Sequence, residues 1–359
     1  MSDAAPQVEV IVPNLKRRFS GITSTLAQVL PRQMTRIRIA ALGYPLPVDI
    51  PRISPVTLFR ISRPAQDDAP PLIFHARRNI DMCLGLLLRA VFRRRLHLVF
   101  TSVAQRRHTA FTRFLYYRMD TLLSTSDRSA SYLRRKPDAI IPHGTDTRLY
   151  RPADDRSAAW REGGLPGKHG VGIFGRVRPQ KGHREFVRAL CRVLPKHPEF
   201  TAVIIGETTP EYRPFQEELR REIGRHGLEE RFHWLGKLPF SEIPAWFRRM
   251  SLVLAVPHNE GFGLTCLEAM ASGAPVIATR TGGFERVIRE GIDGYVVPCR
   301  DTDAIVRVLG ALLERPETLE SMGAAARERI ESDFTVEREA DALVDCYRNI
   351  QQRYLKPDR

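Results

Sequence analysis

Little in this chain suits the far side of a membrane or the inside of one. Its five cysteines, Cys83, Cys191, Cys266, Cys299 and Cys346, are scattered, odd in number and never spaced CxxC. That argues against a disulfide framework and a cysteine zinc site, and reads as reduced thiols in a cytosolic protein. The first ten residues, MSDAAPQVEV, carry neither a charged n-region nor an apolar core, so no secretory signal is expected. The longest apolar run, residues 82–92, is interrupted by Arg89 and falls short of the roughly 20 apolar residues that a spanning helix needs. Internal repeats and low-complexity segments are absent as well.

Negative charge is the other scarcity, and it is local. Residues 1–150 hold 24 Lys and Arg against 10 Asp and Glu, whereas the remainder holds 32 against 31. Nearly all of the net +15 therefore belongs to the N-terminal half. Such asymmetry points to a polyanionic partner: nucleic acid, an anionic membrane face or a phosphorylated acceptor.

A length of 359 residues favours two domains with separate cores. Short apolar runs at 8–12, 37–42, 56–61, 72–74, 96–100, 121–124 and 140–141 read as buried strands, several of them separated by segments of helical length. Residues 151–168, with two prolines and three glycines, read as a linker. The alternation resumes at 171–174, 202–206, 232–235, 252–256, 276–278 and 295–297. Strands alternating with helices predict parallel, doubly wound sheets. The expectation is an α/β protein of two Rossmann-like domains facing a cleft, residues 1–155 and 156–335, with 336–359 as a final helix. In such sheets ligands sit beyond the carboxyl ends of the strands.

The densest chemistry lies at residues 257–294, PHNEGFGLTCLEAMASGAPVIATRTGGFERVIREGIDG. Glu260 and Glu268 stand eight positions apart, and the turn Gly261, Phe262, Gly263 between them opens a helical run ending at Gly273. A strand that enters a glycine-bearing turn and then a helix leaves backbone N–H groups, backed by the positive helix end, facing whatever lies above the sheet. One carboxylate on the loop and one a turn inside the helix suit a ligand with both phosphates and sugar hydroxyls. Residues 175–182, GRVRPQKG, follow the first strand of the second domain and are neither a dinucleotide fingerprint nor a Walker loop. There the Arg176 guanidinium can grip a phosphate bidentately and the Lys181 ammonium can add a point charge.

In these residues the chain resembles the retaining glycosyltransferases of family 4, whose pattern is a glutamate, seven residues, a second glutamate and then Ala-Met-Ala-x-Gly-x-Pro-Val. The likeness continues through Thr281, Gly282, Gly283, Glu285 and residues 294–298. It implies the GT-B fold, with the last helix (about 336–354) crossing back onto the N-terminal domain. It implies that Glu260 meets the hydroxyls of the donor sugar and Glu268 those of the ribose. Arg176 and Lys181 would bind the nucleotide diphosphate, and the stretch Gly261, Phe262, Gly263, Leu264, Thr265 would hold sugar and phosphate oxygens.

Gly21, in NLKRRFSGIT after the first strand, resembles the family's glycine loop against the diphosphate, with Ser20 and Gly21 standing where many members carry two glycines. His75, ending the fourth strand, resembles a histidine beside the reacting sugar and is expected to point into the cleft. Glu260, His75, Arg176 and Lys181 make up the expected catalytic set. Lys16, Arg17, Arg18, Arg77 and Arg78 are expected to meet an anionic acceptor. His143, Gly144, Thr145 and Asp146 stand where relatives read Asn-Gly-Val-Asp; they read as interdomain structure, with the role of His143 open. Asp301, Thr302 and Asp303 have the form of a metal-binding DxD but precede an apolar-periodic helix, so Asp301 is expected as an N-cap. No metal or other cofactor is expected.

Residues 7–26 and 71–81, with their arginines, are similar to the mannosyltransferases that build the lipopolysaccharide inner core in alphaproteobacteria. This implies transfer of mannose from GDP-mannose onto an anionic glycolipid, a core precursor bearing acidic Kdo sugars; the alternative is a UDP-sugar used for another envelope glycan. Residues 82–95, apolar and then Arg93, Arg94, Arg95, suit either a rest on the inner membrane face or a helix buried in the first domain. Two other classes stand beside this one. A sugar-nucleotide epimerase on the same scaffold would need no acceptor site. A nucleic-acid-binding protein fits the pI of about 10.1, but the basic residues are not interleaved with stacking aromatics in any recognised module.

Overall fold

The computed structural model describes residues 8–17, 21–62 and 70–355. Arg18 and Ser20 lie outside the described residues. The chain divides into two compact units, one of residues 1–143 with 336–359 and the other of residues 144–335. The division falls between His143 and Gly144, upstream of the 155/156 boundary read from the sequence. The intervening residues pack into the second unit, where Tyr150 joins the core.

In chain order the first unit comprises β1 (Val10–Asn14), α1 (Gly21–Gln33), β2 (Ile39–Gly43), β3 (Arg52–Ile53), α2 (Pro55–Ile61), β4 (Leu72–Ala76), α3 (Asn79–Ala90), β5 (Leu96–Ser102), α4 (Ala110–Tyr116), β6 (Thr121–Ser124), α5 (Asp127–Ser131) and β7 (Ala139–Ile140). The seven strands run parallel in the order β3-β2-β1-β4-β5-β6-β7. Side chains alternate across each strand, and two cores result. Val10, Val12, Ile39 and Ala41 face one way, onto Leu26, Val29 and Leu30 of α1. Ile11, Ala40, Leu42 and Phe74 face the other, onto Leu58 of α2, Met82 and Leu88 of α3, and Leu115 of α4.

Residues 56–61 are helical, not the strand expected from their apolar run. Pro55 occupies the first turn, and the Thr57 N–H donates to the Ser54 side chain over 3.0 Å. A proline with pre-set φ and a serine cap start a helix locally, which a short apolar run cannot signal by periodicity alone.

The second unit comprises α6 (Arg156–Glu162), β8 (His169–Phe174), α7 (His183–Val193), β9 (Phe200–Ile205), α8 (Arg213–Arg225), β10 (Phe232–Gly236), α9 (Ile243–Arg249), β11 (Met250–Ala255), α10 (Leu264–Ala271), β12 (Val276–Thr279), α11 (Phe284–Val287), β13 (Gly294–Val297), α12 (Thr302–Leu313) and α13 (Pro316–Asp333). Its six parallel strands are ordered β10-β9-β8-β11-β12-β13. Successive strands step outward from β8 in one direction and then from β11 in the other, so the topological switch lies between them. Asp301 caps α12, accepting from the Ala304 N–H over 2.8 Å. The chain then returns to the first unit as α14 (Val336–Leu355), whose Leu343, Val344, Tyr347 and Ile350 pack into the core beneath α1. Among the described residues no helix is long and apolar enough to cross a membrane.

The segment read as a linker is half helix. Asp155 caps α6 through the Ala158 N–H, and Trp160 is driven into the core with its indole N–H donating to the Gly167 carbonyl over 3.1 Å. Prolines and glycines on either side hid a seven-residue helix that anchors this end of the second unit. Trp160→Ala should therefore lower the stability of that unit by about 3–5 kcal/mol. Urea unfolding would show it as an earlier transition, and an unshifted transition would deny Trp160 this role.

Candidate functional site

The loops that leave β8 and β11 meet at the switch point. Gly182 has φ of +81°, and a Cβ there would strike the Val256 carbonyl. Its absence lets the start of α7 lie against the end of β11, and the His258 N–H then donates to the Gln180 carbonyl over 3.0 Å. Lys181 is thereby brought to Glu260, with which it forms a half-buried ion pair. Glu260 is fixed from two sides: its N–H donates to Thr281 Oγ1 over 3.2 Å, and its carboxylate accepts from the Gly261 N–H over 3.0 Å.

Gly263 begins α10 with φ of +100°, and a Cβ there would fall inside the Phe284 ring. No side chain caps α10, so the first-turn N–H groups at Leu264 and Thr265 are left for a ligand or water, with the positive helix end behind them. The adjoining turn is held by the Gly283 N–H, which donates to the Phe262 carbonyl over 2.8 Å, and by burial of the Phe262 ring.

A cavity of about 300 Å³ opens at the carboxyl ends of β8, β9 and β10. Its apolar wall includes Phe174, Ile205, Leu238 and Phe247, the rings of Phe174 and Phe247 stacking 3.7 Å apart. Arg176, Lys237, Thr265 and Glu268 supply polar groups. A flat apolar wall with convergent polar groups suits a nucleoside. Arg176, Thr265 and Glu268 thus share one cavity, while Lys181 and Glu260 pair with each other outside its lining. Burial pushes the Glu268 carboxyl up to about 7, the neighbouring Tyr150 hydroxyl acting the other way. Burial and the Glu268 charge push the Tyr150 hydroxyl up as well. Tyr150, Lys237 and Phe247 were not picked out in the sequence, because they lie outside its motifs and join the site only through the fold.

The first unit holds a larger cavity of about 660 Å³ at the ends of β4 and β5. Lys16, Arg77, Arg78, Arg106, Arg107 and His108 line it, and no carboxylate does. Arg78 donates to Asn14 Oδ1 over 3.2 Å and to Thr23 Oγ1 over 3.3 Å. Beneath it the Asp81 carboxyl accepts from the Arg77 N–H over 3.1 Å and is pushed up to about 6 by burial. Of the residues expected for an acceptor, Lys16, Arg77 and Arg78 come together here. Arg17 is exposed outside the lining, and Arg18 lies outside the described residues. Arg106, Arg107 and His108 were missed, although a basic pair just past a strand end was a legible signal. Gly21 begins α1 with open space where a side chain would stand.

His75 requires a correction. It does not point into open space but lies fully buried, with Nδ1 2.6 Å from the Tyr347 hydroxyl and Nε2 2.7 Å from Thr101 Oγ1. The reason is α14, whose Tyr347 covers the ring. Burial and the Arg77 charge hold its pKa well below the usual histidine range, so it is a neutral strut between β4, β5 and α14. His143 is similarly enclosed, its Nδ1 2.8 Å from a buried Glu339 carboxylate oxygen. Among the described residues no group of three or more His, Cys, Asp or Glu converges as metal ligands.

Comparison with known proteins places this geometry. A family model described as glycosyl transferases group 1 matches residues 161–329. The chain belongs to that family: it is a glycosyltransferase built of two parallel-sheet α/β units of the GT-B kind. Over 344 residues it is 43% identical to the lipopolysaccharide core biosynthesis mannosyltransferase LpcC of Rhizobium leguminosarum bv. viciae, covering 96% of this chain and 97% of that protein. It is 39% identical to the corresponding LpsB of Rhizobium meliloti over 350 residues, 96% of this chain and 98% of the relative. Among solved structures, the C-terminal domain of a group 1 family protein (LpcC) from Francisella tularensis is 36% identical with a TM-score of 0.52, covering 54% of this chain and 99% of that one. Anabaena Alr3699/HepE in complex with UDP shares the fold, with a TM-score of 0.81 at 19% identity over 95% of this chain and 100% of that one.

The raised Glu268 pKa gives a signed expectation. A carboxyl lifted from 4.5 to about 7 by folding contributes stability that is complete below the lower value and lost as pH rises through the upper one. Relative to Glu268→Gln, the ligand-free wild type should lose on the order of 3 kcal/mol from below pH 4.5 to above pH 7. Urea unfolding of both proteins across that range measures the difference, and a difference independent of pH would rule out a perturbed Glu268.

Proposed function

We propose that this protein is a retaining glycosyltransferase of family 4 that moves mannose from GDP-mannose onto an anionic glycolipid of the lipopolysaccharide inner core. We place its action at the cytoplasmic face of the inner membrane. The observation that carries the sugar and the pathway is the likeness over nearly the whole chain to two named core mannosyltransferases. The site supports the chemistry.

The 300 Å³ cavity takes the nucleoside, with Glu268 accepting from the ribose hydroxyls. Arg176, Lys181 and the open start of α10 face the diphosphate. As the bond from the anomeric carbon to phosphate breaks, negative charge grows on the leaving diphosphate and positive charge on the sugar ring. Fixed cations and N–H groups hold the leaving group more strongly as that charge grows, which lowers the barrier. Glu260 orients the sugar through its hydroxyls. The acceptor hydroxyl attacks on the face the diphosphate leaves, and a phosphate oxygen takes its proton, so the reaction needs neither a protein base nor a metal. The Lys181–Glu260 pair is the resting state of this device: the diphosphate takes the ammonium and the sugar takes the carboxylate. The cation-lined cavity of the first unit receives the acidic acceptor. His75 serves as a buried strut of the first unit, between Thr101 and Tyr347.

Transfer of label from GDP-mannose, with UDP-glucose, UDP-galactose and UDP-N-acetylglucosamine in parallel, onto a Kdo-containing lipid A precursor tests the assignment. Label from GDP-mannose alone is the expected result; label from a UDP-sugar would overturn the mannose donor. Lys181→Ala and Glu260→Ala should each cost roughly 10²–10³ in kcat with the fold intact, and near-normal turnover in either would remove it from the site.

A further inference from the structure

The helical face formed by α2, α3 and α4 is unlike any other on the described surface. Of the fifteen large hydrophobic side chains that stand exposed, nine belong to it. On α3 and its C-cap the outward apolar residues are Ile80, Leu87 and Val91, one or two helical turns apart, with Val91 64% exposed and Leu87 47%. On α4 it is Phe111, Phe114 and Tyr117, with Phe111 56% exposed. Val56 and Phe59 extend the surface on α2. A helix on a soluble surface carries its apolar stripe inward and its charge outward. Here Met82 and Leu88 fill the core while the outer stripe of the same helix is apolar too.

The three helices form one layer. Each links strands that step in the same direction across the sheet, so right-handed crossovers put them on one face. They contribute to a single core cluster. The Phe59 ring meets the Phe92 ring edge-on at 5.6 Å, and Asn79 Nδ2 donates to Thr112 Oγ1 over 2.8 Å, tying α2 to α3 and α3 to α4.

The charge on this layer has one sign. Residues 54–62, 79–95 and 104–118 contain nine arginines, of which Arg89 is paired with Asp120, and one carboxylate, Asp81, which is buried. Arg94 lies over the Phe59 ring and Arg118 over the Phe114 ring, so cations and aromatics interleave on the surface. Arg93, three residues past the end of α3, has φ of +49°, a left-handed position that ordinarily favours glycine. Exposed apolar and aromatic side chains ringed by arginine, with Asp120 at the edge engaged by Arg89, match the headgroup boundary of an anionic bilayer.

Resting on the function proposed above, we infer that the α2–α3–α4 face docks this protein on an anionic membrane, so that the acceptor is taken while its lipid remains in the bilayer. The placement of the cation-lined cavity supports this. It opens between the N-terminal ends of α3 and α4, and Ile80 belongs both to its wall and to the apolar stripe. An acidic headgroup reaching that cavity would have its lipid chains beside the face the bilayer covers.

Sedimentation with vesicles tests this without any donor or acceptor. The full chain should pellet with vesicles of phosphatidylcholine mixed with phosphatidylglycerol, less so at high salt, and stay in solution with phosphatidylcholine alone. Leu87→Glu with Val91→Glu, and separately Phe111→Ala with Phe114→Ala, should weaken vesicle binding by roughly tenfold or more at unchanged thermal midpoints. Both double variants should still transfer sugar to a deacylated, water-soluble acceptor as well as the wild type does. A wild type that remains in solution with anionic vesicles overturns the inference, as does equal vesicle binding by the double variants. So does a dimer in sedimentation equilibrium that both double variants dissolve, since the face would then belong to a second copy of the chain. Vesicle binding without transfer to the soluble acceptor would instead fault the proposed reaction and leave the docking face standing.

Discussion

The second unit of this enzyme depends on two loops docked backbone to backbone. Gly182 lies so close to the Val256 carbonyl that no side chain fits between them, and one main-chain hydrogen bond from His258 to Gln180 closes the contact. Side chains on these loops inherit their positions from that docking. Lys181 and Glu260 are 79 residues apart in sequence yet form an ion pair, because the ends of β8 and β11 are adjacent in the sheet. The Phe262–Gly283 hydrogen bond and the ring of Phe284 against Gly263 do the same for the start of α10. Preorganisation of this kind means that little need move when charge develops on a leaving group.

Much of this is legible in the sequence. The strands of the second unit fall where the apolar runs place them, and Arg176, Thr265 and Glu268 share a cavity that opens at the ends of those strands. These are local patterns, strand to turn to helix, and the physics that makes them is local as well. Misreadings came where the deciding contact was distant or where composition misled. Residues 56–61 are as apolar as a strand, and only Ser54 and Pro55 reveal a helix start. The prolines and glycines of residues 151–168 obscured Trp160, whose burial makes that segment structural. His75 lies one residue inside the end of its strand, and the chain supplies its cover from Tyr347, 272 residues later. No window of sequence around His75 contains that information.

The excess of positive charge in residues 1–150 is resolved by the structure into two environments. Some arginines are structural: Arg89 is tied to Asp120, and Arg135 to Asp138 and the Met119 carbonyl. Others gather where carboxylates are missing, in the cavity beyond β4 and β5 and along the outer layer of α2, α3 and α4. Like charges in one concave site repel, which is unfavourable unless an anion settles among them. Asp81 offsets only part of this, since it is a single carboxyl beneath several cations and burial disfavours its charged form. The charge asymmetry of the chain is therefore held in place at a specific cost in the ligand-free protein.

The two units carry their charge in opposite ways. In the second, the Lys181 ammonium at the loop ends is already met by the Glu260 carboxylate. In the first, cations line one cavity with no carboxylate in that lining, and Asp81 lies beneath them. Under the function proposed above, the diphosphate would compete with Glu260 for the ammonium while the sugar would take the carboxylate, so that donor binding would be coupled to the presence of the sugar. An acidic acceptor would supply the anion that the lining of the first cavity lacks. Because transfer would leave its acidic groups in place, its attraction for the cavity would outlast the reaction.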